Sequence, residues 1–267
     1  MSRWTERVST AAVIVGITAC DPLATNNSQA TVASISDLMI PAPSVVVGEL
    51  MKDSLGNDAP LSLAAFDPEG RLLVNQPIFI SVFDPSIHVD QLGYVHGVIR
   101  DTVGARLVAG AGSLQTPQSR IIVSVRPELA TKSTAPTAIN FDIATPDTSN
   151  QTNWSPLLSL TLTNTATLGA QGFIVEYTVI RSPAPTTTGV PTVYLGDEAG
   201  KATRRDTTDH FGTASRRIVL RQQAFGDAAL IAGTKTDTVI VRATALYGGV
   251  NISGTPVNFT IPLKRKP

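Results

Sequence analysis

Apolar side chains recur at every second residue in short runs through the second half of the chain, and this alternation constrains the fold more than any other feature. The clearest run is 158–163, where three leucines alternate with serine and threonine. Similar runs begin at Phe173, Val239 and Val257. A period of two places alternate side chains on opposite faces of a strand. No segment carries a long 3.6-residue repeat, so the chain is predicted to be all-β.

The first half contains shorter runs of the same kind, separated by turn residues. Residues 78–83 and 120–125 alternate, and the segments 53–57 and 67–70 carry the Asp, Gly and Pro that tight turns accept. A chain of 267 residues suits two sandwiches of roughly 100 residues each. We therefore expect one domain at 31–127 and a second at 137–264. The polar segment 128–136, closed by proline, is the expected linker.

The N-terminal residues have the pattern of an export signal. Arg3 and Arg7 give a positive start, and residues 8–19 are uncharged and mostly apolar. As a helix this stretch would span only about 18 Å, against about 30 Å for the hydrocarbon core of a bilayer. Residues 1–19 are therefore expected to be a signal peptide and not a membrane span.

The signal ends at the single cysteine of the chain, Cys20. The sequence Ile17-Thr-Ala-Cys20 resembles the bacterial lipobox. That resemblance implies cleavage before Cys20, a diacylglycerol on its thiol and acyl chains such as palmitate, which together anchor a protein stably. The alternatives are an ordinary export signal or a buried structural cysteine. Residues 20–30 are predicted to be a flexible tether with a reach of about 15–20 Å. Asp21, which follows the cysteine, does not decide which membrane leaflet holds the protein.

Motifs in the two predicted domains resemble bacterial immunoglobulin-like domains. The segments 45–49 (VVVGE), 63–70 (LAAFDPEG) and 87–97 follow the order of the group 2 type, and Phe79 or Phe83 would fill the volume of its frequent tryptophan. The segment 208–214 (TDHFGTA) resembles a turn of the invasin/intimin type. The insertion 181–200, rich in Pro and Thr, departs from that pattern. It is expected to be an extended loop that carries recognition.

The residues that carry chemistry do not form a catalytic or metal-binding pattern. No cysteine or acidic cluster joins His88 and His96 at metal-ligand spacing, and His210, in the turn after Asp209, is expected to lie on a loop and not to act as a base. The acid pairs Asp197/Glu198 and Asp206/Asp209 suit turns better than glycoside cleavage or weak calcium binding. We expect no enzyme activity, no cofactor and no metal. The formal net charge is zero, which argues against a nucleic-acid partner.

The expected function is that of a non-enzymatic cell-envelope lipoprotein, facing the periplasm or the exterior and acting in adhesion or in binding an envelope or surface protein. The membrane is reached through the lipid on Cys20, and the sequence does not identify ligand-binding residues. The alternative is a carbohydrate- or polymer-binding accessory module. Trp154 and Tyr194 are the aromatic residues that would serve a glycan, although a role in the strand core is equally open to each.

Overall fold

The computed structural model describes residues 31–133, 138–141, 153–221 and 224–265. Within these ranges the chain forms nineteen strands and one short helix, α1 (Ala228–Ile231). The prediction of an all-β chain with two sandwiches is confirmed.

The first sandwich is built on a sheet in the order β2-β9-β7-β4, with β8 added to β7. Two small pairs, β1-β3 and β5-β6, accompany it. The side chains of Met51, Val95, Leu107 and Ile121 are fully buried in its core. The strands are β1 (Ser34–Ile35), β2 (Ser44–Val46), β3 (Ala65–Phe66), β4 (Ile78–Val82), β5 (Ile87–Val89), β6 (Val95–Gly97), β7 (Asp101–Ala111), β8 (Leu114–Gln115) and β9 (Ser119–Ser124).

The second sandwich packs a four-stranded sheet, β10-β12-β16-β14, against a larger one, β11-β19-β17-β13-β15, with β18 paired to β17. Its strands are β10 (Leu129–Lys132), β11 (Ile139–Phe141), β12 (Leu158–Thr163), β13 (Ile174–Arg181), β14 (Val193–Gly196), β15 (Arg205–Thr207), β16 (Thr213–Leu220), β17 (Asp237–Tyr247), β18 (Val250–Asn251) and β19 (Val257–Arg265).

The alternating runs of the second half form the core of this sandwich, as predicted. Leu158, Leu160 and Leu162 on β12 are fully buried, and they pack in one cluster with Tyr177 and Phe259 from the facing sheet. The serine and threonines between the leucines are half-buried on the other face. The period of two in the sequence therefore corresponds to one buried face per strand.

The segment predicted as a linker contains a strand, which corrects that part of the domain prediction. Residues 129–132 form β10, which pairs antiparallel with β12. Ala130 is buried, and its N–H donates to the carbonyl of Ser253. The short polar run between prolines gave no sign of this, because only one of its side chains enters the core.

The prediction that residues 181–200 form an extended loop is also partly wrong. Its second half contains β14, in which Val193 and Leu195 enter the core beside β16. The first half is a loop, and it is held in place because Thr186 N–H donates to the Ala224 carbonyl and Gly226 N–H donates to the Ala184 carbonyl. Local composition, rich in Pro and Thr, concealed a short edge strand.

The expectation that Phe79 or Phe83 fills a core position is wrong as well. Phe79 is 38% exposed and Phe83 is 57% exposed. The side chains of Ile80 and Val82, one residue out of phase, pack against the core instead.

In the described ranges, no helix is long and apolar enough to cross a bilayer.

Candidate functional site

Hydrogen bonds tie the two sandwiches together at the start of β13. Ser44 Oγ donates to the carbonyl of Gly172 at 3.0 Å, and Ser124 Oγ accepts from the N–H of Gln171 at 2.8 Å. The side-chain amide of Gln171 donates to the carbonyl of Thr102 at 3.1 Å. Ser44 and Ser124 are both buried. Because buried polar groups are costly when unpaired, these bonds hold residues 171–172 against the first sandwich.

Tyr247 forms a second connection between the sandwiches. Its hydroxyl donates to Glu49 Oε2 at 2.6 Å. The Arg126 guanidinium lies 5.5 Å from the centre of the same ring, with its Nε 3.6 Å from Glu49 Oε1. Phe173 meets the ring edge-on at 5.7 Å between centroids. Burial and the bond to Glu49 raise the pKa of the Tyr247 hydroxyl, so it remains a hydrogen-bond donor at neutral pH.

The backbones of the two sandwiches also meet directly. Gly56 adopts a φ of 90°, and a Cβ there would lie 2.2 Å from the carbonyl carbon of Gly248. A side chain at Gly56 would therefore push the turn 53–57 away from the hairpin of β17 and β18. Val46 from β2 is buried in the core cluster of the second sandwich. The junction thus combines hydrogen bonds, aromatic packing and direct backbone contact.

A groove of about 490 Å³ lies along this junction. Its lining includes apolar side chains from both sandwiches: Ala42, Val45, Leu50, Phe173 and Leu246. Ile174, which pairs with Thr207, is 46% exposed, and Leu246, which pairs with Asn251, is 48% exposed. The volume falls within the range of about 300–1,000 Å³ that is usual for ligand pockets. The groove is the strongest candidate binding site in the described residues.

Three of the four charged residues that line the groove are paired with opposite charges, and the Asp53 carboxylate accepts backbone N–H groups of its own turn. Lys52 Nζ lies 2.8 Å from Asp58 Oδ1, and Arg205 Nη2 lies 3.5 Å from Glu176 Oε2. The groove therefore has no field of a single sign to select a strongly charged ligand. Its surface suits an uncharged ligand with apolar groups.

Five turns of the sequence Asp-x-x-Gly share one hydrogen-bond pattern within the described ranges. In each, the Asp carboxylate accepts the N–H groups two and four residues later, and the Gly N–H donates to the Asp carbonyl. The glycine has a positive φ in every case. The turns begin at Asp53, Asp67, Asp90, Asp197 and Asp209.

Three of the four acidic residues considered as catalytic pairs have structural partners. Asp197 and Asp209 each cap their own turn. Asp206 Oδ2 accepts from the N–H of Ser215 at 2.7 Å and lies 3.1 Å from Arg216 Nη1. A carboxylate used in this way stabilises the backbone and the buried Arg216. The structural role anticipated for the turn at 208–214 is confirmed.

Two of the three histidines form a cross-strand pair, and the third lies in a turn. His88 and His96 face each other across β5 and β6, with ring centroids 6.0 Å apart. His210 lies against Phe211 at 3.7 Å in an exposed turn. In the part of the chain that the structure describes, no group of three or more His, Cys, Asp or Glu residues is placed to hold a metal ion.

Trp154 and Tyr194 lie on the outer face of the β10-β12-β16-β14 sheet, on either side of the fully buried Val219. The Arg217 guanidinium lies 4.9 Å from the centre of the Trp154 ring, and Arg221 lies at the same distance from the Tyr194 ring. One face of each ring is therefore occupied by an arginine. The two aromatic residues are brought together, as a partly buried cluster that covers Val219.

Cys20 and the predicted tether at 20–30 lie outside the described residues, and so does the predicted signal at 1–19. Sequence reasoning missed the groove entirely. Its residues come from positions more than a hundred apart, so no local motif marks it. The one available signal was the apolar Ile174 and Leu246, which fall on the outward phase of otherwise alternating strands.

The sequence matches no protein-family model and no curated protein. Among solved structures, the chain is similar to the Yersinia pseudotuberculosis adhesin InvE, with 13% identity and a TM-score of 0.34 over 85% of this chain and 60% of that one. It is also similar to the I9-I11 tandem of titin, at 10% identity and a TM-score of 0.23 over 86% of this chain and 65% of that one. The tandem Ig repeats of Dlar are 9% identical, with a TM-score of 0.22 over 87% of this chain and 97% of that one. The chain thus spans less than two thirds of the length of InvE and of the titin tandem.

Proposed function

We propose that this chain is a non-enzymatic lipoprotein of the bacterial cell envelope that binds a partner protein through the groove between its two sandwiches. Its role is adhesion or the docking of another envelope or surface component. The lipid on Cys20 anchors it to the membrane, with the sandwiches facing the periplasm or the exterior.

The observation that carries the binding proposal is the construction of the groove at a fixed junction. The bonds from Ser44, Ser124 and Tyr247 hold the two walls in place before any partner arrives. A preformed groove avoids the free-energy cost of ordering its walls on binding. Exposed apolar side chains in such a groove are typical of protein-interaction sites.

The chemistry of the groove favours a polypeptide with apolar side chains as the ligand. Ile174 and Leu246 offer exposed apolar surface, and the nearby Lys52 and Glu176 are each paired with an opposite charge. A glycan would need an open aromatic face, and an arginine lies on one face of each of the Trp154 and Tyr194 rings.

The anchor is supported by the sequence around Cys20. The positive start, the short apolar segment and the lipobox-like Ile17-Thr-Ala-Cys20 occur together in the order that export and lipidation require. An attached diacylglycerol with a further acyl chain holds a protein on a membrane far more firmly than a single chain does.

The binding proposal is tested by placing a photo-crosslinking amino acid at position 174 in living bacteria. The matched control is position 180, because Ile174 and Ile180 lie on the same strand with exposures of 46% and 43% and only Ile174 lines the groove. We expect a discrete adduct from position 174 that is lost when Leu246→Asp is added. Equal adducts from both positions, or none from position 174, would overturn the groove as the binding site.

The anchor is tested separately by intact mass and detergent partitioning of the wild-type chain and of Cys20→Ala. We expect acyl mass and detergent partitioning only for the wild type. An unmodified wild-type protein in the aqueous phase would show that the anchor is absent.

A further inference from the structure

Strand β4 forms an open edge of the sheet in the first sandwich. It pairs with β7 in unbroken antiparallel register, from Ile78 opposite Ala111 to Val82 opposite Leu107. On its other side, no backbone hydrogen bond from any described residue reaches it. Such an edge presents free N–H and C=O groups to another strand.

The free groups of β4 belong to alternate residues. Phe83 N–H donates to the Arg106 carbonyl on β7, and Ala109 of β7 bonds to Thr116 on its far side. The backbone groups of Phe79 and Ser81 therefore face β7, because bonding direction alternates along an antiparallel pair. Those of Ile78, Ile80 and Val82 point away from the sheet.

Three other sheet edges are protected in ways that β4 is not. β14 is covered because Thr203 N–H donates to the Leu195 carbonyl, and β10 receives a similar cover from Ser253. β15 is three residues long and contains Arg205 and Asp206. Short length, charge and covering segments are the usual protections against edge pairing. β4 has five residues, no charge and no bulge.

Apolar side chains remain exposed on and beside this strand. Ile78 is 45% exposed and Phe79 is 38% exposed, with Phe83 following at 57%. Leu72 and Val74, in the segment leading to β4, are 58% and 76% exposed. The open backbone edge is thus bordered by apolar surface that water contacts in the single chain.

We propose that β4 pairs with β4 of a second copy of this chain, antiparallel about a two-fold axis at Ile80. In this register Ile78 lies opposite Val82 of the second copy, and Ile80 lies opposite Ile80. These are the residues whose N–H and C=O groups are free, so each free group gains a partner. An isologous contact of this kind requires one surface that complements itself. The uncharged strand Ile78–Val82 meets this requirement.

The charges favour a second copy over a charged peptide. Asp84, at the end of the strand, is held by Arg106, with Nε 2.9 Å from Oδ2 and Nη2 3.0 Å from Oδ1. In the proposed register Asp84 lies opposite the uncharged Gln76. The chain has a formal net charge of zero, so two copies do not repel each other as wholes. This interface is separate from the groove and leaves it open.

The test is sedimentation of the purified full chain with the Ser81→Lys substitution. Ser81 is exposed on the outer face of β4, so the single chain tolerates lysine. In the proposed dimer the two lysines lie diagonally across the axis, about 7–8 Å apart. At low ionic strength we expect the wild type to dimerise and Ser81→Lys to weaken the dimer at least about tenfold, since like charges across an interface are unfavourable.

Two further samples make the result specific to this strand. Thr260→Lys adds the same charge at an exposed position on β19 and should leave the dimer unchanged. An equal mixture of Ser81→Lys and Ser81→Glu should recover the dimer, because opposite charges then face each other across the axis. A monomeric wild type at about 100 µM, an unaffected Ser81→Lys dimer, or no recovery on mixing would each overturn the proposal.

Discussion

The hydroxyl of Tyr247 in the second sandwich donates a 2.6 Å hydrogen bond to Glu49 in the first, across 198 residues of sequence. The same carboxylate receives Arg126, which lies over the Tyr247 ring. Three residues thus share one charge-assisted contact at the junction. Single substitutions at these residues can therefore test how strongly the two sandwiches are held together.

Removal of the Tyr247 hydroxyl is expected to destabilise the junction. Tyr247→Phe leaves Glu49 without its shortest donor, and hydrogen bonds to charged groups contribute about 1.5–3 kcal/mol, with the lower end expected at this half-buried position. Urea unfolding measures the loss. The control is Tyr194→Phe, whose hydroxyl is a long 3.5 Å from the Gly200 carbonyl. Equal effects from both variants would contradict a special role for Tyr247.

Gly212→Ala is expected to be far more destabilising than Gly70→Ala. Both glycines close an Asp-x-x-Gly turn, with φ of 80° and 78°. A Cβ at Gly70 meets nothing within 4 Å, whereas one at Gly212 would lie 2.2 Å from the Leu162 carbonyl oxygen. Backbone strain alone costs about 1–2 kcal/mol, and a steric clash in packed structure adds about 1–3 kcal/mol. The free energies of unfolding of the two variants give the comparison, which fails if they are similar.

Acid is expected to remove the contribution of Asp84 to stability. The hydrogen bond from the Arg106 side chain lowers the pKa of Asp84 from 3.8 to about 2. A carboxyl whose pKa is lower in the folded chain stabilises the fold above its unfolded pKa and loses that effect as the pH falls through the folded value. The Asp84 contribution should therefore be complete at neutral pH and disappear between about pH 4 and pH 2.

Asp84→Asn tests this pH dependence through urea midpoints at several pH values. The wild type should exceed the variant at neutral pH, and the difference should shrink toward about pH 2. The control is Asp37→Asn, because the Asp37 carboxylate has no hydrogen-bond partner among the described residues. A difference between wild type and Asp84→Asn that is constant with pH would show that the pair with Arg106 has no linked effect.

Loss of the Arg217 side chain is expected to expose the Trp154 ring. The guanidinium lies 4.9 Å from the ring centre, and a contact of this kind contributes about 0.5–1 kcal/mol. In a Trp4→Phe background, Arg217→Ala should shift the Trp154 fluorescence to longer wavelength and lower stability by about that amount. Arg242→Ala, at an exposed position on β17, is the control and should leave the spectrum unchanged.

The sequence predicted the second sandwich best because its strands bury one face each. A period of two is a local signal, and Leu158–Thr163 carries it without interruption. The strand β10 was missed because its pairing partners, β12 and Ser253, lie far along the chain. The prediction of which β4 side chains enter the core was wrong for a different reason, because both faces of this edge strand carry apolar residues.

The groove was beyond sequence reasoning for the same physical reason. Ser44, Gly172 and Tyr247 are ordinary residues in their own segments, and only the docking of the sandwiches makes them neighbours. The turns around Asp53 and Asp209 were recognised, because Asp and Gly at fixed spacing act on their own backbone. Contacts that close within five residues can be predicted from the sequence, whereas contacts between sandwiches cannot.

The five Asp-x-x-Gly turns are held by their first and last residues. All their fixed requirements fall on the aspartate and the glycine, while the two residues between are as different as Pro68-Glu69 and His210-Phe211. In three of the turns the second of these is a large apolar residue left open to water: Leu55, Leu92 and Phe211. The two middle residues can therefore be substituted while the aspartate and the glycine keep the turn closed. New surface chemistry can be exchanged there by substitution without disturbing the strands on either side.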